Sequence, residues 1–404
     1  MKKITKIFTA AFMASVITLT GCSLHKDDPK PATENVSEDS SAEASSEASS
    51  EASSDSASEQ SSEDNIIVIE DLIEPIIEEL EAAAGDASSA ASSSQENKEE
   101  EQKVEDKVEM VFIGDSQMAN GRSDGTDLAS LISARVPNSV AYNLGIGGTT
   151  AALEATTSEL TPEKFTSNCF MGIVYALEGR ADRTQVLSKN PEVLSVMEKI
   201  DPAKVDYYFV EYGANDFFNK VPLDVNGTDV DYVKTFFGAL NTGIDELRKI
   251  SPNAKIVLMT PFYGIYKDGN GNFIGDSYVV SNGIDTLANY ARKVGNVVEI
   301  EGVIDFDCMF ISKCDLYLDT YEEYLMDGTH LSLKGRQVFA RLLAHIPNWF
   351  EGNEPFAYME TDFIKIAEFN PDEYYRYPAD MMHEYYPDEY EKMQNGEYLL
   401  APPQ

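Results

Sequence analysis

From residue 111 to residue 346, short apolar runs of strand length alternate with stretches whose apolar residues recur at helical spacing. That alternation leaves few folds open, because strands separated by helices pair in parallel and need helices on both faces of the sheet. Strands are predicted at 111–113, 140–144, 205–212, 255–259 and 297–303. Helices are predicted at 128–136, from a Thr149 or Thr150 cap through Leu160, and at 192–200, 229–250, 277–294 and 331–346. Residues 170–177 suit a strand or a buried helix, and 268–271 carry the turn chemistry of a hairpin. The fold class is therefore α/β, a three-layer α/β/α arrangement around a mostly parallel sheet.

Several strands end in glycine and polar residues. Residues 111–113 run into Gly114-Asp115-Ser116, 140–144 into Gly145, Gly147 and Gly148, and 205–212 into Gly213-Ala214-Asn215-Asp216. Open α/β folds bind ligands at the carboxyl edge of the sheet, so Ser116 is a candidate nucleophile. Of the four histidines, His25 precedes the globular region, His345 sits late in the apolar last helix and His383 lies in a polar tail. His330 falls in a loop before a helix, with Asp327 three residues upstream to orient it. A hydroxyl nucleophile, a base and an orienting carboxylate are the parts of an acyl-transfer site. Asp115 and Asp216 read as loop braces.

The N-terminal quarter has a different character. Lys2, Lys3 and Lys6 precede an apolar run from residue 7 to 20, too short for a stable membrane span, so 1–21 read as a signal peptide. Residues 22–107 are Ser, Ala, Glu and Asp with almost no aromatics, a composition that cannot bury enough apolar surface to order itself. They are expected to form a disordered tether, interrupted at 66–80 by apolar residues spaced as a short amphipathic helix. The globular domain is then 108–348, followed by a tail at 349–404.

Between His25 and Glu109 there are 26 acidic and 5 basic residues, and the whole chain carries a net charge of −39. Nucleic acid and anionic lipid surfaces are poor partners on electrostatic grounds, and an uncharged substrate is expected. Apart from Cys22, the cysteines are Cys169, Cys308 and Cys314, too few and scattered for a zinc site or a disulfide framework. Cys308 and Cys314 are read either as a pair or as free buried thiols. No metal or organic cofactor is implied. The tail holds 13 acidic and 3 basic residues and eight tyrosines from 351 onward, and repeats Pro-Asp-Glu-Tyr at 371 and 387. Tyr374, Tyr375, Tyr377, Tyr385, Tyr386 and Tyr390 are expected to include several that pack on the domain, with stacking on a sugar as the alternative.

Two resemblances sharpen this reading. Leu19-Thr20-Gly21-Cys22 resembles a bacterial lipoprotein signal, rather than an ordinary secretory one. It implies cleavage before Cys22, lipidation of its sulfur and an extracytoplasmic protein anchored to the cell membrane. Gly114-Asp115-Ser116, the 143–148 stretch, Gly213-Ala214-Asn215-Asp216 and Asp327-Gly328-Thr329-His330 resemble, in order and spacing, the four signature blocks of the SGNH (GDSL) hydrolases. The resemblance covers about 108–348 and implies a flavodoxin-like sheet and a serine esterase. It also implies catalytic Ser116, His330 and Asp327, with oxyanion donors at Ser116, Gly148 and Asn215; Gly145 or Gly147 could take the place of Gly148. The substrate it implies is an O-acyl ester, foremost an O-acetyl group on a glycan. The alternatives are a lipase or lysophospholipase of the same fold and a non-catalytic envelope-binding protein.

Overall fold

The computed structural model describes residues 107–225, 231–373 and 379–400. Cys22, the acidic spacer and the 66–80 segment lie outside the described residues, as do Tyr374, Tyr375 and Tyr377. Among the described residues no helix is long and apolar enough to cross a membrane.

Strand β1 (Val108–Gly114) carries four consecutive fully buried residues, Met110 to Ile113, the continuous apolar pattern of a strand covered on both faces. It pairs in parallel with β2 (Ser139–Asn143) on one side and β3 (Tyr207–Glu211) on the other. β4 (Lys255–Met259) follows β3 in parallel. β5 (Ile265–Lys267) and β6 (Phe273–Asp276) form a separate antiparallel hairpin around 268–272. β7 (Ile304–Phe306) closes the main sheet, whose order β2-β1-β3-β4-β7 is the flavodoxin-like one. Phe112 and Phe209 stack across β1 and β3 with ring centroids 4.6 Å apart. At the end of β1 a side chain on Gly114 would put its Cβ 2.7 Å from the Glu211 carbonyl oxygen, so only glycine lets the two strand ends close there.

Seven helices matter for the site. They are α1 (Ser116–Ala119), α2 (Leu128–Ser133), α3 (Phe170–Glu178), α4 (Ala214–Phe218), α5 (Phe236–Ile250), α6 (Leu287–Glu301) and α7 (Leu333–Phe350). α2 and α7 pack together as one layer, and α3, α5 and α6 as the other. Their starts follow from sequence: Asp127, Thr235 and Ser332 each accept a backbone N–H from inside the first turn.

Four predicted elements are corrected. No helix runs from Thr149 to Leu160, because tertiary bonds claim the backbone there: Asp216 accepts from the N–H groups of Ala151 and Ala152, and Leu153 donates to the Val233 carbonyl. The helix predicted over 229–250 begins only at Phe236, since Thr235 caps it and Tyr232–Lys234 form a separate 3-10 turn. In place of the helix predicted at 277–294 and the strand predicted at 297–303, residues 277–286 are irregular, α6 runs from Leu287 to Glu301, and the strand lies beyond it at Ile304–Phe306. The β-branched Val297 and Val298 read as strand, but Val297 extends the buried stripe of Tyr290 and Val294, and Gly302 at φ +59° ends the helix after Glu301, seven residues beyond the predicted end at 294. Residues 170–177 resolve as helix.

The tail folds onto the domain. Tyr358, Ile364 and Ile366 belong to the main core, and Phe356, Met382 and Met393 form a small second cluster flanked by Tyr386, Tyr390 and Tyr398. Tyr385 stays 66% exposed. Cys169, Cys308 and Cys314 are free and buried.

Candidate active site

The parallel sheet brings the tips of β1, β2 and β3 to one edge, and the loop before α7 reaches the same place. Ser116 is the first residue of α1, immediately past β1. Its Oγ lies 2.9 Å from His330 Nε2, across 214 residues of sequence. On the other side of the ring, His330 Nδ1 lies 2.6 Å from Asp327 Oδ2. Asp327 can only accept, so Nδ1 carries the hydrogen and the Nε2 lone pair faces the Ser116 hydroxyl. Asp327 is itself tied down: its Oδ1 accepts from the backbone N–H groups of Thr329, at 3.0 Å, and His330, at 2.8 Å. Partial burial pushes its carboxyl up, but the bonds from His330 and Thr329 outweigh that and hold it at about 2. The tight turn needs Gly328, whose φ is +90° and whose Cβ, if present, would lie 2.7 Å from the Ile265 carbonyl oxygen.

Asn215 comes from the first turn of α4 and lines the same cleft as Ser116 and His330. Its Nδ2 donates to Asp115 Oδ2 at 2.9 Å. Asp115, fully buried at the head of α1, also accepts from the Gln117 N–H at 2.9 Å. An amide nitrogen has two hydrogens, so one N–H of Asn215 remains for the cleft. In the loop after β2, the Gly145 N–H is already donated to Asn143 Oδ1 at 2.9 Å. That removes Gly145 from the oxyanion alternatives. Gly147 lies beside Ser116, a Cβ on it falling 3.7 Å from that of the serine, and Gly148 follows at φ +82°. Asp216 is buried and braces the loop through Ala151 and Ala152, and burial pushes its carboxyl up to about 7.

Ser116, Asn215 and His330 open on a cavity of about 90 Å³ walled by Phe218, Phe262, Tyr266 and Leu287. Gly264 and Tyr266 bring the base of the hairpin to its rim.

Sequence reasoning missed three residues here. Gln117, 5% exposed, donates from Nε2 to the Thr329 carbonyl at 2.7 Å and accepts from the Leu331 N–H at 3.2 Å, so it clasps the loop on both sides of His330. Arg122 reaches Asn143 Oδ1 at 3.0 Å and the Gly145 carbonyl, holding the loop after β2. Glu211, at the end of β3, is completely buried. Only the position of Gln117 next to Ser116 hinted at any of these; side chains that act through residues 21 to 214 positions away leave no periodic signal.

The fold and this edge define an esterase-type hydrolase built on a parallel α/β sheet. A family model described as the GDSL-like Lipase/Acylhydrolase family matches residues 112–338, and the chain belongs to that family. It is a carboxylic ester hydrolase. No curated protein matches the chain in sequence. Solved structures similar to it include a possible lipase from Chitinophaga pinensis, at 20% identity over 61% of this chain and 99% of the other with a TM-score of 0.40. Another is a variant of an acetyl-xylooligosaccharide esterase from Geobacillus Stearmophilus, at 19% identity over 58% of this chain and 91% of the other with a TM-score of 0.32.

Proposed function

We propose that the protein is an extracytoplasmic serine esterase that removes short O-acyl groups, foremost acetyl, from a carbohydrate through an acyl-enzyme on Ser116. The observation that carries this is the Ser116–His330–Asp327 relay opening on a small apolar cavity. Ser116 Oγ attacks the acyl carbon while His330 Nε2 takes its proton, and Asp327 steadies the imidazolium that forms. The oxyanion is held by the Ser116 and Gly148 N–H groups and by Asn215 Nδ2. His330 returns the proton to the departing sugar oxygen, and water then repeats the sequence to free the acid and regenerate the hydroxyl.

Cavity size supports the short acyl group. An apolar cavity of roughly 150 Å³ holds the six carbons of benzene, and on that scale about 90 Å³ holds three or four heavy atoms. Acetyl has three, whereas an octanoyl chain would extend out beyond the walls of Phe218, Phe262, Tyr266 and Leu287. The net charge of −39 favours an uncharged ester over an anionic one. The sequence around Cys22 supports lipid anchoring at the outer face of the cell membrane, with the acidic spacer giving the domain reach.

The test is hydrolysis of 4-nitrophenyl esters of increasing chain length and of acetylated xylan, with fluorophosphonate labelling alongside. Labelling of wild type but not of Ser116→Ala, with kcat/KM highest for acetate, supports the reading. A preference that rises through octanoate moves the protein to the lipases, and a wild type that neither labels nor turns over makes it a binding protein.

A further inference from the structure

Glu211 ends β3 beside Gly114, its partner in the β1–β3 register, and so stands one strand away from the nucleophile. It is 0% exposed, and among the described residues neither carboxylate oxygen has a hydrogen-bond donor. No ion pair reaches it among the described residues. The side chain that faces it is the carboxyl of Asp115. Two ionised carboxylates cannot share a dry site, so one carries a proton and donates it to the other. Asp115 already accepts from the Gln117 N–H and from Asn215 Nδ2, both at 2.9 Å, and those donors stabilise its anion. Glu211 has no such donors, so the proton belongs on Glu211.

We propose that Glu211 is a positioning residue, which holds a proton at working pH, donates it to Asp115, and thereby keeps Asp115 the acceptor that turns an N–H of Asn215 toward the cleft. The alternative arrangement shows why the location of the proton matters. A protonated Asp115 could donate to Asn215 Oδ1, the amide would turn over, and the oxyanion would meet a carbonyl dipole in place of an N–H. The surroundings agree with the assignment. Burial, then the charge of Asp115 and that of Asp216, push Glu211 well above the ordinary carboxyl range. Besides Asp115 and Asp216, the titratable groups around the pair among the described residues are Cys308 beside Glu211, Tyr212 beside Asp115 and His330, a potential cation, on the Asp115 side.

The inference rests on the reading of Asn215 as an oxyanion donor. It is tested in the full chain with Glu211→Gln, which still donates from its amide, and Glu211→Leu, which does not. With 4-nitrophenyl acetate, Glu211→Gln is expected to keep kcat within about threefold of wild type. Glu211→Leu is expected to lower kcat by about ten- to a hundredfold with KM little changed, approaching the effect of losing an oxyanion donor. In Glu211→Leu the Asp115 anion loses its Glu211 donor and takes up a proton more readily, so on acidification kcat falls off at higher pH than in wild type, and a merely structural loss would not move that profile. Equal loss in both variants, or a wild-type profile in Glu211→Leu, overturns the proposal. An infrared difference spectrum, wild type minus Glu211→Gln at neutral pH, adds a readout independent of how the leucine variant folds. It should contain the carbonyl stretch of a protonated carboxylic acid, and its absence overturns the proposal too. A wild type without esterase activity would defeat the esterase reading, whereas a missing infrared band in an active enzyme defeats only the role given to Glu211.

Discussion

Replacing Gln117 by methionine separates the clasp on the histidine loop from the packing beneath it. Methionine keeps the methylenes but has no amide, so the Leu331 N–H and the Thr329 carbonyl lose their partner. Leu331 is fully buried and Thr329 half-buried. A buried orphan costs roughly 1–3 kcal/mol, and the half-buried carbonyl recovers part of its loss from water, giving about 2–4 kcal/mol in all. Urea unfolding reads that directly as a lower midpoint at unchanged slope. The kinetic effect has a different origin. His330 lies between the two clasped residues, and a displacement of about 1 Å at a reacting group costs on the order of a hundredfold in rate. We therefore expect Gln117→Met to lower kcat on 4-nitrophenyl acetate by about that factor while KM hardly moves. Gln117→Ala, which keeps only the Cβ, adds the lost packing of the Cγ methylene, about 0.8 kcal/mol, to the stability loss without a matching further fall in kcat. If Gln117→Met unfolds at the wild-type urea concentration and turns over at the wild-type rate, the loop is held by something else and the reasoning fails.

Other consequences can be checked with the same assays. Asn215→Ala is expected to lower kcat by about 10²–10³-fold, read as initial rates at saturating ester, and a change confined to KM would remove it from the oxyanion site. Asp327→Asn should lower kcat about 10⁴-fold, since an amide nitrogen facing Nδ1 favours the wrong tautomer, and full activity would show that the imidazole is oriented without it. Burial raises the Asp216 carboxyl from 3.8 to about 7, so the folded state binds its proton more tightly than the unfolded chain does. That stabilisation is complete below about pH 4 and lost as pH rises through 7, an effect of roughly 4 kcal/mol for this group. The melting temperature should fall between pH 5 and 8, and Asp216→Asn should flatten that part of the profile; an unaltered slope in the variant assigns the pH dependence to other groups.

What could be read from sequence was whatever a short window encodes. The strand tips were legible because fully buried parallel strands are nearly uniform in apolar character and end abruptly in glycine, and Ser116, Asn215, Asp327 and His330 all stand in such windows. Residues 149–160 and 297–303 were misread for the opposite reason. Bonds from Asp216 and Val233 decide the first, and the packing of Val297 beside Val294 decides the second, and both come from parts of the chain or faces of the core that local propensity does not contain. Glu211 was invisible on the same grounds: a glutamate ending an apolar strand reads as the point where the chain meets water, and it takes the neighbouring strand to show that water never arrives.

The clasp made by Gln117 also separates two tasks within the molecule. The spacing between hydroxyl and imidazole is set by a side chain adjoining the serine itself, while the exposed tip of the β5–β6 hairpin, residues 268–272, takes no part in it. Substitutions at Tyr266, which walls the cavity from the base of that hairpin, can therefore change which ester fits while Gln117 keeps the proton relay in place, so a lineage built on this scaffold can change its diet while its chemistry stands still.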